Sequence, residues 1–195
     1  MVLCNVKCVE NISKYLNVAP GKLYVSKNNV VAAKDLLEKE SLEGFSTIVQ
    51  TLVKLSKFSN ILGKDAVTQA LTRQWLEYVV LNVNYADNLK NVKRILKVFQ
   101  FRLDNPNQNV INMSFTLYSQ ELNLILRKST YITGTEKTVA DVVLYYALHS
   151  IMQGLTHQEK AEYVNVSRWF DNIQQDEKLR QELELINFNL LNLYL

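Results

Sequence analysis

Turn-making residues are scarce in this chain of 195 residues, which has two prolines, Pro20 and Pro106, and five glycines. That excludes a fold built on many tight β-turns and favours long helices. Cysteine is as rare. Cys4 and Cys8 are the only two, too few for a disulfide framework, and a reducing compartment is their simplest home. His149 and His157 lack ligand spacing to each other or to the cysteines, so no metal site is expected. No Gly-rich cluster stands where a phosphate loop would, and no nucleophile, base and orienting group stand together. Neither a cofactor nor a catalytic centre is expected. No run of 18 apolar residues is present to span a membrane. Lys7, Glu10 and Lys14 interrupt the first sixteen residues, which therefore lack the apolar core of a secretory signal. The glycosylation-like triplets beginning at Asn11, Asn112 and Asn165 then read as chance. A net charge of +3 is too small to mark a nucleic-acid binder, although a local basic patch remains open.

What is present is the balance of an ordinary globular protein, 48% hydrophobic and 21% charged. The length fits one domain, or one compact unit with a small N-terminal subdomain. Such a chain buries roughly two thirds of the surface its unfolded form exposes, so it needs no disulfide or metal staple.

The apolar positions Val2, Val6, Val9, Ile12, Tyr15 and Leu16 recur mostly at steps of three and four, which predicts a helix over 2–16. Pro20 and Gly21 end it. Leu23-Tyr24-Val25, the Asn28-Asn29 turn and Val30-Val31-Ala32 predict a short hairpin. After Glu43-Gly44 a helix is predicted with Phe45, Ile48, Leu52 and Leu55 inside and Gln50, Lys54 and Lys57 outside. Leu62-Gly63-Lys64-Asp65 reads as a helix stop and linker, and the boundary is set there, giving units 1–62 and 63–195. Beyond it every long segment reads as helical: 66–85 with Val67, Leu71, Trp75, Tyr78 and Val79; 89–103 with Val92, Ile95, Leu96, Phe99 and Leu103; and 113–127 with Phe115, Tyr118, Leu122 and Leu126. The polar run 104–109 separates the last two.

Thr138-Val139-Ala140-Asp141 has the form of a reciprocal capping box. The threonine hydroxyl can accept from the amide three residues on, while the aspartate reaches back to the threonine amide and its charge suits a helix N-terminus. The residues that follow, Val142 to Leu148, are apolar on every face, and such a helix belongs in the middle of a bundle. The fold class that emerges is mostly α, a bundle around one central capped helix.

Five motifs in register carry a resemblance: Leu62-Gly63, Gln74-Trp75-Leu76-Glu77-Tyr78, Tyr131-Ile132-Thr133-Gly134, Thr138-Val139-Ala140-Asp141, and Asn165-Val166-Ser167-Arg168-Trp169-Phe170. In this order they resemble the C-terminal domains of glutathione-transferase-like proteins. Residues 143–174 narrow the resemblance to the small glutathione-transferase-like auxiliary subunits of the multi-aminoacyl-tRNA synthetase complex. It covers roughly residues 44–82 and 121–174, is faint before Gly44, and is absent over about 84–112, which looks like an insertion. The resemblance implies a glutathione-transferase C-terminal-like helical bundle behind a small reduced thioredoxin-like α/β subdomain. It further implies a scaffold in translation whose partners are the glutathione-transferase-like domains of methionyl- and glutamyl-prolyl-tRNA synthetases. Its location would be cytoplasmic, and nuclear as well through the family's link to DNA-damage signalling. Direct contact with tRNA is a weaker implication.

The departures from the family argue against catalysis. The strand that presents a thiol-activating Tyr, Ser or Cys is expected to be lost, because the first apolar pattern, over 2–16, is that of a helix. Where the family has a cis-proline this chain has Ala32, which cannot supply that bond cheaply. Where a Glu/Gln-Ser pair holds the glutamyl end of glutathione, it has Gly44-Phe45, with no hydroxyl. Lys137 stands where an apolar staple residue is usual, so the staple contribution is expected to be absent.

The remaining residues each have two readings. Cys4 and Cys8 share a helix face in the predicted helix, as core residues or as a thiol pair; a low pKa would be needed for the second. His149 reads as a hydrogen-bonded core histidine. Lys90, Lys93, Arg94, Lys97 and Arg102 form either a solvated face or a patch for tRNA or an acidic partner. The Leu-rich run 186–195 either folds back on the bundle or docks a partner. Asn165 or Ser167 can cap a helix whose Trp169 and Phe170 anchor it in the core. Arg168 then points away from the anchored face, to form a partner contact by stacking and pairing or an intramolecular salt bridge. From the family's dimer-like contact a second surface is implied on helices 45–55 and 73–80, where Gln50, Lys54, Arg73 and Glu77 meet a partner's matching helices. Two rivals to the scaffold remain: a glutathione transferase with a degenerate thiol site, and a companion subunit of the elongation factor 1 complex.

Overall fold

The computed structural model describes residues 4–37, 40–85, 92–94, 96–97 and 130–188. The predicted helix 113–127, most of the insertion and residues 189–195 lie outside the described residues.

Helix α1 (Val6–Leu16) starts where Asn5 accepts the amide of Cys8 and stops at Asn17, in the left-handed region at φ 54°. The chain then forms an antiparallel sheet of β1 (Lys22–Val25), β2 (Val31–Leu37) and β3 (Glu40–Glu43), in the order β1-β2-β3. The hairpin has the predicted place, with Val25 opposite Val31. The third strand was not anticipated. Its sequence, Glu-Ser-Leu-Glu, offers one apolar side chain, Leu42, against Ala33 of β2. Both α1 and α2 (Phe45–Leu55) pack against this sheet, with Ile48, Val49, Leu52 and Val53 of α2 fully buried.

A 3₁₀ turn, Ser59–Leu62, leads into Gly63 at φ 120°. A Cβ there would stand 2.8 Å from the amide nitrogen of Gln69, so only glycine fits this approach to the first turn of the next helix. Helix α3 (Ala66–Leu81) is capped by Asp65, whose carboxylate accepts the amide and the hydroxyl of Thr68. It ends at Asn82 rather than running on to Tyr85, and the 3₁₀ turn Val83–Tyr85 follows. Residues 92–94 and 96–97 are helical as expected, with Leu96 buried.

Helix α4 (Val139–Gly154) is the central element. Its residues from Val139 to Tyr145 are all buried, together with Ala147, Leu148 and Met152. Each large aliphatic side chain buried this way contributes about 1.5–3 kcal/mol, which makes α4 the main source of cohesion. Helix α3 packs on it, as do α1 and the later α6. Helix α5 (His157–Glu162), α6 (Val164–Gln174) and the single turn α7 (Glu177–Arg180) complete the described helices.

Three details correct the sequence reading. Leu55, expected inside, is 48% exposed, and Val67, of the apolar series in 66–85, is 70% exposed. Contact with α4 turns the buried line of α3 to Thr72, Trp75, Leu76 and Val79, leaving Val67 in the first turn facing out. Leu55 belongs to the last turn of α2, beyond the face that Leu52 buries. Cys4 precedes α1 instead of sharing a face with Cys8 within it; its amide donates to Asn84 Oδ1 at 2.9 Å, and both cysteines are buried.

Candidate functional site

Thr138 and Asp141 at the start of α4 and Trp169 of α6 meet at one buried carboxylate. Thr138 and Asp141 form the reciprocal box, with the Thr138 amide donating to Asp141 Oδ2 at 2.8 Å and the Thr138 hydroxyl to the same oxygen at 3.2 Å. The other oxygen, Oδ1, accepts the Ile132 amide at 2.9 Å and the Trp169 indole at 3.0 Å. Asp141 thus ties the Tyr131–Gly134 turn, the start of α4 and the middle of α6 to one point. Burial pushes its carboxyl pKa up, against the pull of these hydrogen bonds. Nothing in the local spacing announced the Trp169 bond, which joins residues 28 apart.

Helix α6 begins directly where α5 ends, with Tyr163 serving as C-cap of one and N-cap of the other. This corrects the expected cap. Asn165 and Ser167 lie inside the helix, and the buried Ser167 hydroxyl donates to the Lys160 carbonyl at 2.7 Å, lacing α6 to α5. The cap that does form upstream is Thr156 with Glu159, a Thr-x-x-Glu box visible in the sequence but not singled out there. Trp169 and Phe170 are buried as expected. Arg168, just before them, is half-buried, and no carboxylate among the described residues pairs with it. The intramolecular salt bridge is therefore not realised there.

The second group of predicted contact residues lies on two helices that pack together, α2 and α3. Lys54, Arg73 and Glu77 are exposed, while Gln50 is half-buried and donates to Ser46 Oγ at 3.2 Å. Arg73 and Glu77 stand one turn apart on α3, yet form no ion pair among the described residues. Sequence reasoning missed the apolar members of these helices. Val67 and Leu81, 70% and 67% exposed, flank Arg73 and Glu77 along α3, and Leu55 and Phe58 are exposed at the end of α2.

Lys137 supplies what an apolar staple would have supplied, by other means. Its ammonium pairs with Asp176 Oδ2 at 2.6 Å and lies 5.5 Å from the centre of the Tyr15 ring, so it joins α1, the start of α4 and the cap of α7. Burial works against the charge on Lys137, but the bonds to Asp176 and Tyr15 outweigh it and raise its pKa. Burial likewise opposes charge on Asp176, and Lys137 with the amides of Leu179 and Lys178 outweighs it and lowers that pKa.

Residues 182–188 pack back on the bundle; of the C-terminal run 186–195 only 186–188 are described, and the rest of that reading lies outside the described residues. The Gln174 side chain acts as a substitute backbone for this strap, donating to the Ile186 carbonyl at 2.9 Å and accepting its amide at 3.0 Å. His149 Nε2 donates to the Glu184 carbonyl at 3.0 Å, which makes it the hydrogen-bonded core histidine expected. Phe188 is buried against Phe170, ring centres 6.1 Å apart.

The thiols are closed to chemistry. Burial pushes Cys4 up to about 12, and burial and then the neighbouring Cys4 push Cys8 well above its usual value. A nucleophilic thiol needs the opposite shift. Gly44 begins α2 with no side-chain cap bond, and Phe45 after it is buried. Among the described residues no group of His, Cys, Asp and Glu is arranged to hold a metal, and no helix is long and apolar enough to cross a membrane.

Comparison with known proteins adds four findings. Residues 109–177 match a family model described as the nuclear-export cofactor Arc1p. The chain is 32% identical over 184 residues to eukaryotic translation elongation factor 1 epsilon-1 of Cricetulus griseus, covering 94% of this chain and 92% of that protein. It is 36% identical over 154 residues to the Homo sapiens protein of that name, covering 79% of this chain and 75% of the other. A shorter match, 34% over 75 residues, joins 38% of the chain to 17% of the tRNA-aminoacylation cofactor arc1 of Schizosaccharomyces pombe (strain 972 / ATCC 24843).

Proposed function

Because the chain belongs to the eukaryotic translation elongation factor 1 epsilon-1 family, we propose that it serves protein biosynthesis as a non-catalytic scaffold for aminoacyl-tRNA synthetases. The observation that carries the reading is 32% identity over 94% of the chain to a relative covered almost from end to end. A further relative is itself named a tRNA-aminoacylation cofactor.

In this reading the fold is glutathione-transferase-like. Residues 1–62 are a reduced thioredoxin-like subdomain, supported by the small sheet with α1 and α2 packed on it. Residues 63–195 are the helical domain, supported by the capped and buried α4. The partners are the glutathione-transferase-like domains of methionyl- and glutamyl-prolyl-tRNA synthetases, in the cytoplasm and also the nucleus. One partner meets Arg168, half-buried on a helix anchored by Trp169 and Phe170. The other meets Gln50, Lys54, Arg73 and Glu77 on α2 and α3, where exposed Val67 and Leu81 add apolar area. The raised thiol pKa values and the bare Gly44-Phe45 start of α2 support a protein that performs no glutathione chemistry.

Calorimetric titration of the full chain with each purified synthetase domain tests this. Binding of both is expected, with Arg168→Ala weakening one and charge reversal at Arg73 and Glu77 weakening the other. Binding of neither contradicts it. The relatives' printed name favours one second reading, a companion of elongation factor 1, and co-purification of that factor without synthetases would select it.

A further inference from the structure

The sheet has one covered face and one open face. Helices α1 and α2 pack on it from the side to which Leu23, Val31 and Ala33 turn. Strand alternation puts Lys22 and Tyr24 of β1, Ala32 and Lys34 of β2, and Ser41 and Glu43 of β3 on the opposite side. The register sets Lys22 directly against Lys34, and Tyr24 against Ala32. Lys22, Lys34, Ser41 and Glu43 are exposed, and Tyr24 is 40% exposed. Ala32 is fully buried yet stands apart from the hydrophobic core cluster. Tyr24 stands directly opposite it in the register.

Two like charges directly across an antiparallel pair are destabilising. Among the described residues no carboxylate pairs with Lys22, with Lys34, or with Lys27 in the hairpin turn. A lysine on an edge strand is explained by protection against edge-to-edge pairing. That accounts for Lys22, but Lys34 is on the central strand. An anion between the two ammonium groups turns the repulsion into attraction. Tyr24 lies two residues along β1 from Lys22, about 7 Å away. That is the order of one nucleotide step.

We propose that the open face of the sheet binds single-stranded nucleic acid, a base stacking on Tyr24 and adjacent phosphates lying on Lys22 and Lys34. Aromatic side chains on an open sheet flanked by cations are a recurrent way to hold unpaired strands. Glu43, on the far side of Ala32, keeps the path of the strand to the β1–β2 half of the face.

The test is fluorescence-anisotropy titration of the full chain with a labelled uridine oligonucleotide of about ten nucleotides, within the range one such surface covers. Binding to the single strand and much weaker binding to a blunt duplex of that length are expected. Tyr24→Ala should weaken it about ten-fold, as for a lost base stack. K22E/K34E should weaken it further and flatten the salt dependence by about 1.4 in slope, about 0.7 per phosphate contact. All these residues are exposed, and thermal unfolding of each variant checks that the fold is kept. Equal affinity for the duplex, indifference to either variant, displacement by polyglutamate at equal charge concentration, or no binding in low salt would overturn the proposal. None of those results bears on synthetase binding, which is read separately.

Discussion

The Trp169 indole donates to Asp141 Oδ1 at 3.0 Å, so the helix that carries Arg168 hangs from the cap of the central helix. Placement of the half-buried Arg168 depends on a carboxylate two helices earlier, in the core.

Removing that carboxylate should be severe. Asp141→Ala loses the cap, about 1 kcal/mol, and strands the buried donors of Ile132, Thr138 and Trp169, so the total expected is about 3–5 kcal/mol. Trp169→Phe strands only part of the network and should cost about 1–2 kcal/mol. Urea unfolding of both single variants and the double variant checks this. The double should cost less than the sum, because the two residues share one bond.

The Lys137–Asp176 bridge sets a pH window. Asp176 has its pKa lowered on folding, so its contribution is present above the ordinary aspartate pKa and is lost as pH falls through the folded value. Lys137 has its pKa raised, so its contribution is present below the ordinary lysine pKa and is lost as pH rises through the folded value. Melting curves should therefore show Asp176→Asn less stable than the parent by a constant amount between about pH 5 and 9. The difference should vanish towards pH 2, and because both side chains are partly exposed it should be within about 1 kcal/mol.

The strap should behave as part of the core. Phe188→Ala removes a buried ring from against Phe170 and should cost about 3 kcal/mol. Hydrogen exchange should show the Ile186 amide protected in the parent and exchanging faster in Gln174→Ala, which removes its acceptor.

The cysteines should be inert in the folded chain. With both thiols buried and their pKa values raised, an alkylating reagent at neutral pH should label neither until urea unfolds the protein. Rapid labelling of Cys4 or Cys8 in native buffer would contradict the closed-thiol account.

Local patterns were legible in the sequence and long-range pairings were not. The Thr138–Asp141 box and the apolar run behind it placed the central helix, because both signals are contiguous in sequence. The hairpin was legible from its turn residues. Strand β3 was not, since Glu40–Glu43 is charged at both ends and has no alternating apolar pattern. Asn165 and Ser167 looked like caps because helix starts are read from side chains, whereas α6 starts from the backbone of Tyr163 at the end of α5. The bonds Asp141–Trp169, Lys137–Asp176 and Cys4–Asn84 join residues 28, 39 and 80 apart, and no spacing rule encodes them. Arg73 and Glu77 were legible as outward residues, whereas Arg168 is half-buried. The exposure of Val67 and Leu81 was not, because it depends on which face of α3 the central helix takes.

The central claim is that this chain holds synthetases together and does no chemistry. The most direct test is a tagged pull-down from cell extract read by mass spectrometry, with a parallel passage over glutathione resin. The account predicts recovery of methionyl- and glutamyl-prolyl-tRNA synthetases and no retention on glutathione. Retention on glutathione with no synthetase recovered would contradict it and return the chain to the enzymes.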